Sequence, residues 1–95
     1  NEVDILDASL ANPTRKELFA AIRSLNIDER QELLALMWVG RGDFSADEWD
    51  EALSTAADRD NGREAKYLIG TPLLGDYLEE GLVALGFDVE AYDNE

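Results

Sequence analysis

The sequence predicts an all-α fold, a compact bundle of about five short helices with an antiparallel helix pair around residues 29–59. Apolar residues recur at the three- and four-residue spacing of a helix along most of the chain. Residue pairs that favour helix starts precede these stretches, and glycine or Asn-Gly follows several of them. No stretch alternates apolar and polar residues over the length of a strand. We expect a single helical domain over residues 1–95.

The first part of the chain predicts two helices. Residues 1–11 place a few apolar side chains on one face, which indicates a weakly amphipathic N-terminal helix. Pro13 fits a first helical position, and Thr14 followed by Glu17 has the spacing of a capping box. Asn26 is expected to close this second helix in a left-handed conformation. The apolar face between these ends consists of Leu18, Phe19, Ile22 and Leu25.

The next helix is predicted over residues 29–39. Asp28 can cap its start, with Gln31 three residues later. Its apolar residues surround the helix on nearly all sides, so we expect it to lie at the centre of the domain. Gly40 is expected to cap its C-terminal end.

Two further helices are predicted before the last one. Ser45 and Glu48 form another capping box, and the helix that they open covers residues 46–59. An Asp-Asn-Gly turn ends it, and a short helix follows over residues 63–69. The inner face of the longer helix is predicted to consist of Trp49, Leu53, Ala56 and Ala57.

The last helix carries the clearest apolar stripe. Thr71 is expected to cap it with Pro72 at its first position, and Gly86 is expected to end it. Gly81 lies within the stripe, which indicates that another helix crosses closely there. The chain then continues as an acidic tail over residues 88–95. The stripe consists of Leu74, Tyr77, Leu78, Gly81, Leu82 and Leu85.

Acidic residues dominate the charge of the chain. The 22 acidic and 8 basic residues give a net charge of −14. The excess is concentrated in residues 41–95, which carry 15 acidic and 4 basic residues. Such a surface repels phosphate backbones and anionic lipids, so we expect neither direct nucleic-acid binding nor membrane binding. No apolar run approaches the roughly 20 residues that cross a bilayer.

The residue types present limit the chemistry that the chain can perform. Cysteine and histidine are absent, which removes thiol and imidazole nucleophiles and the usual zinc ligands. We expect no cofactor. Carboxylates remain: Asp76, Glu79 and Glu80 share one flank of the last helix, where they could bind Mg²⁺ or Ca²⁺ or act as acid and base. A solvated polar face predicts the same pattern, and we favour it.

The corner at residues 40–45 has two interpretations. Its glycines suit a turn between helices, and Arg41 and Asp43 could hydrogen-bond the exposed helix ends. Alternatively, the Arg41 guanidinium could bind an anionic ligand or a carboxylate of a partner protein. We favour the first interpretation. In the second, the contact site is the surface around Trp38, Arg41 and Asp43.

Two blocks of the sequence resemble a known family. They are NIDERQELLALMWVGRGDF and, after Trp49, YLIGTPLLGDYLEEGLVALG. Together they are similar to the bacterial family called domain of unknown function 3775 (DUF3775), over residues 12–87. The resemblance implies a small helical domain of a bacterial cytoplasmic protein. It implies no activity, substrate or catalytic residue.

Three functional hypotheses follow from these features. The leading one is a non-enzymatic helical module that binds another protein, because apolar helices are plentiful and no reaction class has its residues here. Self-association as a homodimer through the last helix stays open within it. The second is an acidic mimic or regulator that occupies the basic, nucleic-acid-binding surface of a protein. The third is a carboxylate-based enzyme or metal site that uses Asp76 and Glu80.

Overall fold

A computed structural model describes residues 14–59 and 61–87. Within them the chain forms five α-helices, one short 3₁₀ turn and no strand, which confirms the predicted all-α class. None of these helices is both long enough and apolar enough to span a membrane. The predicted N-terminal helix, Pro13 and the acidic tail lie outside the described residues. In chain order the elements are α1 (Arg15–Ser24), α2 (Ile27–Arg41), the 3₁₀ turn (Ala46–Glu48), α3 (Trp49–Asp58), α4 (Glu64–Ile69) and α5 (Leu74–Ala84).

Thr14 starts α1, as the sequence predicts. Its hydroxyl oxygen accepts a hydrogen bond from the backbone N–H of Glu17 at 3.1 Å. This bond satisfies one of the donors that a helix start leaves without a partner. Ile22 of α1 is buried in the core, and Leu18 and Phe19 pack against it partly buried.

The start of α2 differs from the prediction. Asn26 does not close α1: its φ is −72°, and its side chain caps α2 by accepting the Glu29 N–H at 2.8 Å. The Glu29 carboxylate accepts the Asn26 N–H in return at 2.9 Å. The predicted cap at Asp28 with Gln31 was wrong because the Asn26 and Glu29 pair already satisfies two backbone donors. Asp28 instead lies in the first turn, where negative charge is favourable.

The predicted central position of α2 is confirmed. Helix α2 packs most extensively against α5 and also against α3, its predicted partner, while α1 packs against α4. Because several sides of α2 are covered, it supplies a large part of the buried apolar surface. Its buried residues are Leu34, Ala35, Met37, Trp38 and Val39.

Helices α2 and α5 cross with their backbones in contact. A Cβ atom added at Gly81 would overlap the carbonyl oxygen of Leu36, and one added at Gly40 would overlap that of Tyr77. The close crossing predicted from Gly81 is therefore confirmed. Gly40, however, lies inside α2 and does not cap it, so that prediction was wrong. Only glycine lets the two backbones approach this closely at both positions.

The pair of Ser45 and Glu48 leads into α3. The Ser45 N–H donates to the Glu48 carboxylate at 2.8 Å, which is one half of the predicted capping box. The buried residues of α3 are Ala52 and Ala56, one helical turn apart. Ala57 is exposed, contrary to the prediction, because Ala52 takes the inward position beside Ala56. Two residues of the predicted inner face are partly buried, Trp49 and Leu53.

Helix α5 starts later than the sequence predicts. Thr71 donates its hydroxyl to the carbonyl of Tyr67 at 2.9 Å, so it closes α4 instead of capping α5. Pro72 then precedes the helix, and Leu73 occupies the N-cap with a φ of 60°. Such a left-handed conformation is uncommon for a bulky residue. Gly86 has a φ of 96° and ends the helix as predicted.

Candidate functional site

The predicted contact corner is formed by the C-terminal end of α2. Gly42 has a φ of 94°, and its N–H reaches the carbonyls of Trp38 and Val39 at 3.0 and 3.1 Å. The Asp43 N–H donates to the same Trp38 carbonyl at 2.9 Å. These bonds form a Schellman motif, which turns the chain and satisfies carbonyls at the helix end. Helix termination therefore explains the corner, with Gly42 rather than Gly40 at the left-handed position.

Arg41 and Asp43 form an ion pair across this corner. Both Nε and Nη2 of Arg41 lie 2.7 Å from Oδ2 of Asp43. The side chains are 34% and 42% exposed, so the pair is expected to contribute little to stability. Its effect is to fix the direction of the guanidinium.

Tyr67 of α4 connects the corner to the core. Its hydroxyl oxygen accepts hydrogen bonds from Nη2 of Arg41 and from the indole N–H of Trp38, each at 3.3 Å. The guanidinium of Arg59 stacks on the tyrosine ring, with its Cζ 4.3 Å from the ring centroid. Because the hydroxyl oxygen accepts both bonds, its own proton remains available to another acceptor.

The surroundings of Tyr67 favour its ionised form. Burial by itself raises the pKa of the phenol. The hydrogen bonds from Trp38 and Arg41, with the positive charges of Arg41 and Arg59, outweigh burial and lower the pKa below its ordinary value. The pKa of Arg41 is raised in turn, first by the hydrogen bond to Tyr67 and then by that to Asp43. Tyr67 is therefore a phenol in a positively charged setting.

The three sequence-predicted residues lie together at one end of α2, but in different environments. Trp38 is 5% exposed and packs against Phe44, so its indole supports Tyr67 from the core. Arg41 and Asp43 are exposed, and their role in binding a partner stays a prediction. Sequence reasoning did not identify the Tyr67 hydroxyl as part of this corner. Its two donors are 26 and 29 residues away along the chain, so no local spacing reveals the contact.

An open apolar groove runs between α2 and α5. Its volume is about 320 Å³, and its walls are mostly apolar side chains that the core leaves partly exposed. Phe87 is the most open of these, at 54% exposure. Two acidic residues, Glu29 and Glu32, also line the groove. The apolar walls consist of Leu25, Leu33, Leu36, Trp49, Leu82, Leu85 and Phe87.

Most of the chain matches the model of a known protein family. Residues 15–87 match the family model described as Protein of unknown function (DUF3775). The chain belongs to the DUF3775 family. This confirms the resemblance read from the two sequence blocks, and the match covers all the helices described above. No curated protein and no solved structure shows a significant match to the chain.

Negative charge continues beside the groove of this DUF3775 domain. Glu32 also borders a neighbouring cleft of about 420 Å³, together with Asp28 and Asp50. Among the described residues that line the groove and this cleft there is neither lysine nor arginine. The groove therefore combines apolar walls with a uniformly acidic border.

The third functional hypothesis concerns the acidic flank of α5. Asp76, Glu79 and Glu80 are exposed and border an open cleft of about 440 Å³, together with Leu73 and Val83. In the part of the chain that the structure describes, no three acidic side chains are placed so that they could hold one metal ion. Metal binding by Asp76 and Glu80 as a pair stays a prediction.

Proposed function

We propose that this DUF3775 domain is a non-enzymatic interaction module that binds a basic amphipathic helix of another protein. The observation that carries the proposal is the open apolar groove between α2 and α5 with its acidic border. Grooves between helices take up partner helices through apolar side chains spaced three and four residues apart. The described residues include no strand whose edge a partner strand could extend. The proposal takes the protein to be bacterial and cytoplasmic, as the family resemblance implies.

The apolar walls of the groove supply the attraction. Phe87 is 54% exposed, and Leu82 and Leu85 are partly exposed. Removing apolar surface from water contributes about 25 cal/mol per Å², before the costs of association are subtracted. A partner helix with leucine or phenylalanine along one face would cover these side chains.

The acidic border selects the charge of the partner. Glu29 and Glu32 line the groove, and Asp28 and Asp50 lie beside it. Lysine or arginine on both sides of a partner's apolar face would complement this border. A second copy of the chain bound through the same groove would instead bring like charges together, and each copy has a net charge of −14. The charges therefore favour a basic partner over a homodimer.

A pair of alanine variants tests the apolar part of the proposal. Phe87→Ala truncates a groove residue, while Val83→Ala truncates a residue of similar exposure, 55%, outside the groove. The partner would first be isolated by affinity capture from a host lysate and identified by mass spectrometry. Its affinity should fall at least about tenfold for Phe87→Ala and less than about twofold for Val83→Ala. Equal affinities for the two variants would remove the groove from the contact.

A pair of charge variants tests the acidic border. Glu32→Gln should weaken binding of the partner. Glu79→Gln, the same change of charge outside the groove, should have a smaller effect on this affinity.

Analytical ultracentrifugation tests whether a second copy of the chain occupies the groove. A monomer–dimer equilibrium that Phe87→Ala abolishes would identify a second copy, rather than a basic helix, as the ligand of the groove.

A second candidate function is the acidic mimic of a nucleic acid. Its support is the net charge of −14. Salt dependence separates the two candidates, because the affinity of a mimic falls steeply as ionic strength rises. An apolar contact in the groove should retain most of its affinity at high salt. Loss of the captured partner at high salt, with no effect of Phe87→Ala, would favour the mimic.

A further inference from the structure

The basic residues of this acidic protein gather on one side of the fold. Two adjoining clefts, of about 290 and 210 Å³, lie around the turn between α3 and α4 and along α1. Arg63 and Lys66 line both clefts, Arg59 lines the first, and Arg23 and Arg30 line the second. Five of the eight basic residues of the chain thus line these clefts. None of the described residues lining them is acidic.

Aromatic rings, rather than carboxylates, hold an arginine in each cleft. The Cζ atom of Arg59 lies 4.3 Å from the ring centroid of Tyr67, and that of Arg23 lies 5.8 Å from the ring centroid of Phe19. Stacking orients a guanidinium without using its N–H donors. Within the described residues neither arginine forms an ion pair. Their donors are therefore available to an anion.

Two further donors at the clefts have capacity for an acceptor. Nε of Arg30 is buried and has no hydrogen-bond partner within the described part of the chain. Leaving a buried donor without an acceptor costs about 1–3 kcal/mol, so an anion that reached it would recover stability. The Tyr67 hydroxyl accepts two hydrogen bonds and keeps its own proton to donate. Glu64 forms no ion pair with these cations within the described residues; it is buried and accepts the backbone N–H of Asn61 at 3.2 Å.

We propose that the two clefts form a binding site for a small dianion of the phosphate class, either free phosphate or the phosphate group of a small metabolite. Arg63 and Lys66, which the clefts share, hold the anion between the two stacked arginines. A small anion responds mainly to charges within about 10 Å at 0.1 M salt. An extended nucleic acid would also meet the acidic remainder of a chain whose net charge is −14. The site shares no lining residue with the apolar groove, so the proposed partner helix and the anion can be tested separately.

A phosphate titration of the isotope-labelled full chain, followed by nuclear magnetic resonance, tests the site. Sodium chloride keeps the ionic strength constant, so that general screening does not contribute. The amide signals of residues 61–67 should shift and saturate. The double variant Arg63→Gln/Lys66→Gln should lower the affinity for phosphate at least about tenfold, because two charge-assisted contacts are lost. The matched control Arg15→Gln/Lys16→Gln removes the same charge outside both clefts and should change the affinity less than about twofold.

Further ligands distinguish the source of the phosphate group. Tighter binding of a phosphomonoester such as AMP than of inorganic phosphate would assign the site to a metabolite, and equal binding would assign it to free phosphate. Scattered shifts that do not saturate, or equal weakening in the two double variants, would overturn the proposal. An RNA oligonucleotide that binds more tightly than both ligands would replace the small anion with a nucleic acid.

Discussion

The two sides of α2 differ in how they are packed and in the surface that they leave. Toward α5, the backbones touch at Gly40 and Gly81, and an apolar groove with an acidic border remains. Toward α4, hydrogen bonds to the Tyr67 hydroxyl accompany the buried Ala65 and Leu68, and clefts lined by arginine and lysine remain. The difference shows that a net charge of −14 describes the average surface and not each part of it. A fold that gathers its few bases on one side creates a local positive potential within an acidic protein.

Substitution at the α2–α5 crossing should have the largest effect. Gly81→Ala places a methyl group against the carbonyl of Leu36 and should lower the free energy of unfolding by about 3 kcal/mol. Gly75→Ala is the matched control, because its new methyl group would have open space in the same helix. It should raise the free energy of unfolding by up to about 1 kcal/mol. Urea unfolding followed by tryptophan fluorescence measures both, and similar values would contradict the backbone contact.

Substitution on the α4 side should have a smaller effect. Tyr67→Phe removes the acceptor that Trp38 and Arg41 share, and should lower the free energy of unfolding by about 1–2 kcal/mol. Tyr77→Phe deletes a hydroxyl outside this cluster and should change it by less than about 0.5 kcal/mol. The same urea experiment compares them. If both variants were as stable as the wild type, the hydrogen bonds to Tyr67 would not hold α4 in place.

High pH should strengthen the α4 side. The pKa of Tyr67 is lowered in the folded state, so the folded chain releases this proton before the unfolded chain does. Between the lowered folded pKa and the ordinary value near 10, the unfolded chain binds more protons, and Tyr67 makes stability rise with pH. This contribution is lost as pH falls through the folded pKa. Ultraviolet titration should reveal an ionisation below the ordinary range that Tyr67→Phe removes. If Tyr67→Phe removed absorbance change only near the ordinary pKa of about 10, the lowered pKa would be contradicted.

The corner ion pair should have the smallest effect on folding. A double-mutant cycle of Arg41→Ala and Asp43→Ala should give a coupling energy below about 1 kcal/mol, because the side chains are 34% and 42% exposed. The same variants test the predicted contact around Trp38, Arg41 and Asp43. Weaker partner capture by Arg41→Ala, at an unchanged melting temperature, would extend the contact to this corner. Unchanged capture would exclude Arg41 from it.

Local sequence patterns predicted the helices more accurately than their ends. Thr14 was identified correctly because a cap bonds to a residue only three positions away. Asp28 was chosen wrongly as the cap of α2 because two capping pairs overlap there, and Asn26 makes the bonds. Gly40 could either cap a helix or contact another helix. Only the position of α5 distinguishes these roles, and the sequence around Gly40 does not reveal where α5 lies.

The candidate sites depend still more on tertiary contacts. Trp38, Arg41 and Asp43 were predicted together because they are close in sequence. Tyr67 reaches them from α4, and its hydroxyl became visible as the common acceptor only in the folded chain. The basic clefts combine residues from α1, α2, α4 and the turn before α4. Composition recorded how few bases there are, but sequence spacing cannot report where the fold gathers them.

The glycine contacts between α2 and α5 also determine how the groove can change. Because the helices meet backbone to backbone, their interaxial distance does not depend on the rotamers of the neighbouring side chains. The groove between them is therefore preorganised, and a partner would lose little free energy in shaping it. Under the proposed function, substitutions at Leu33, Leu82 and Leu85 should alter which partner helix binds, while the groove itself persists. Gly40 and Gly81 thus determine that the groove exists, whereas the side chains along it would determine the specificity of the proposed contact.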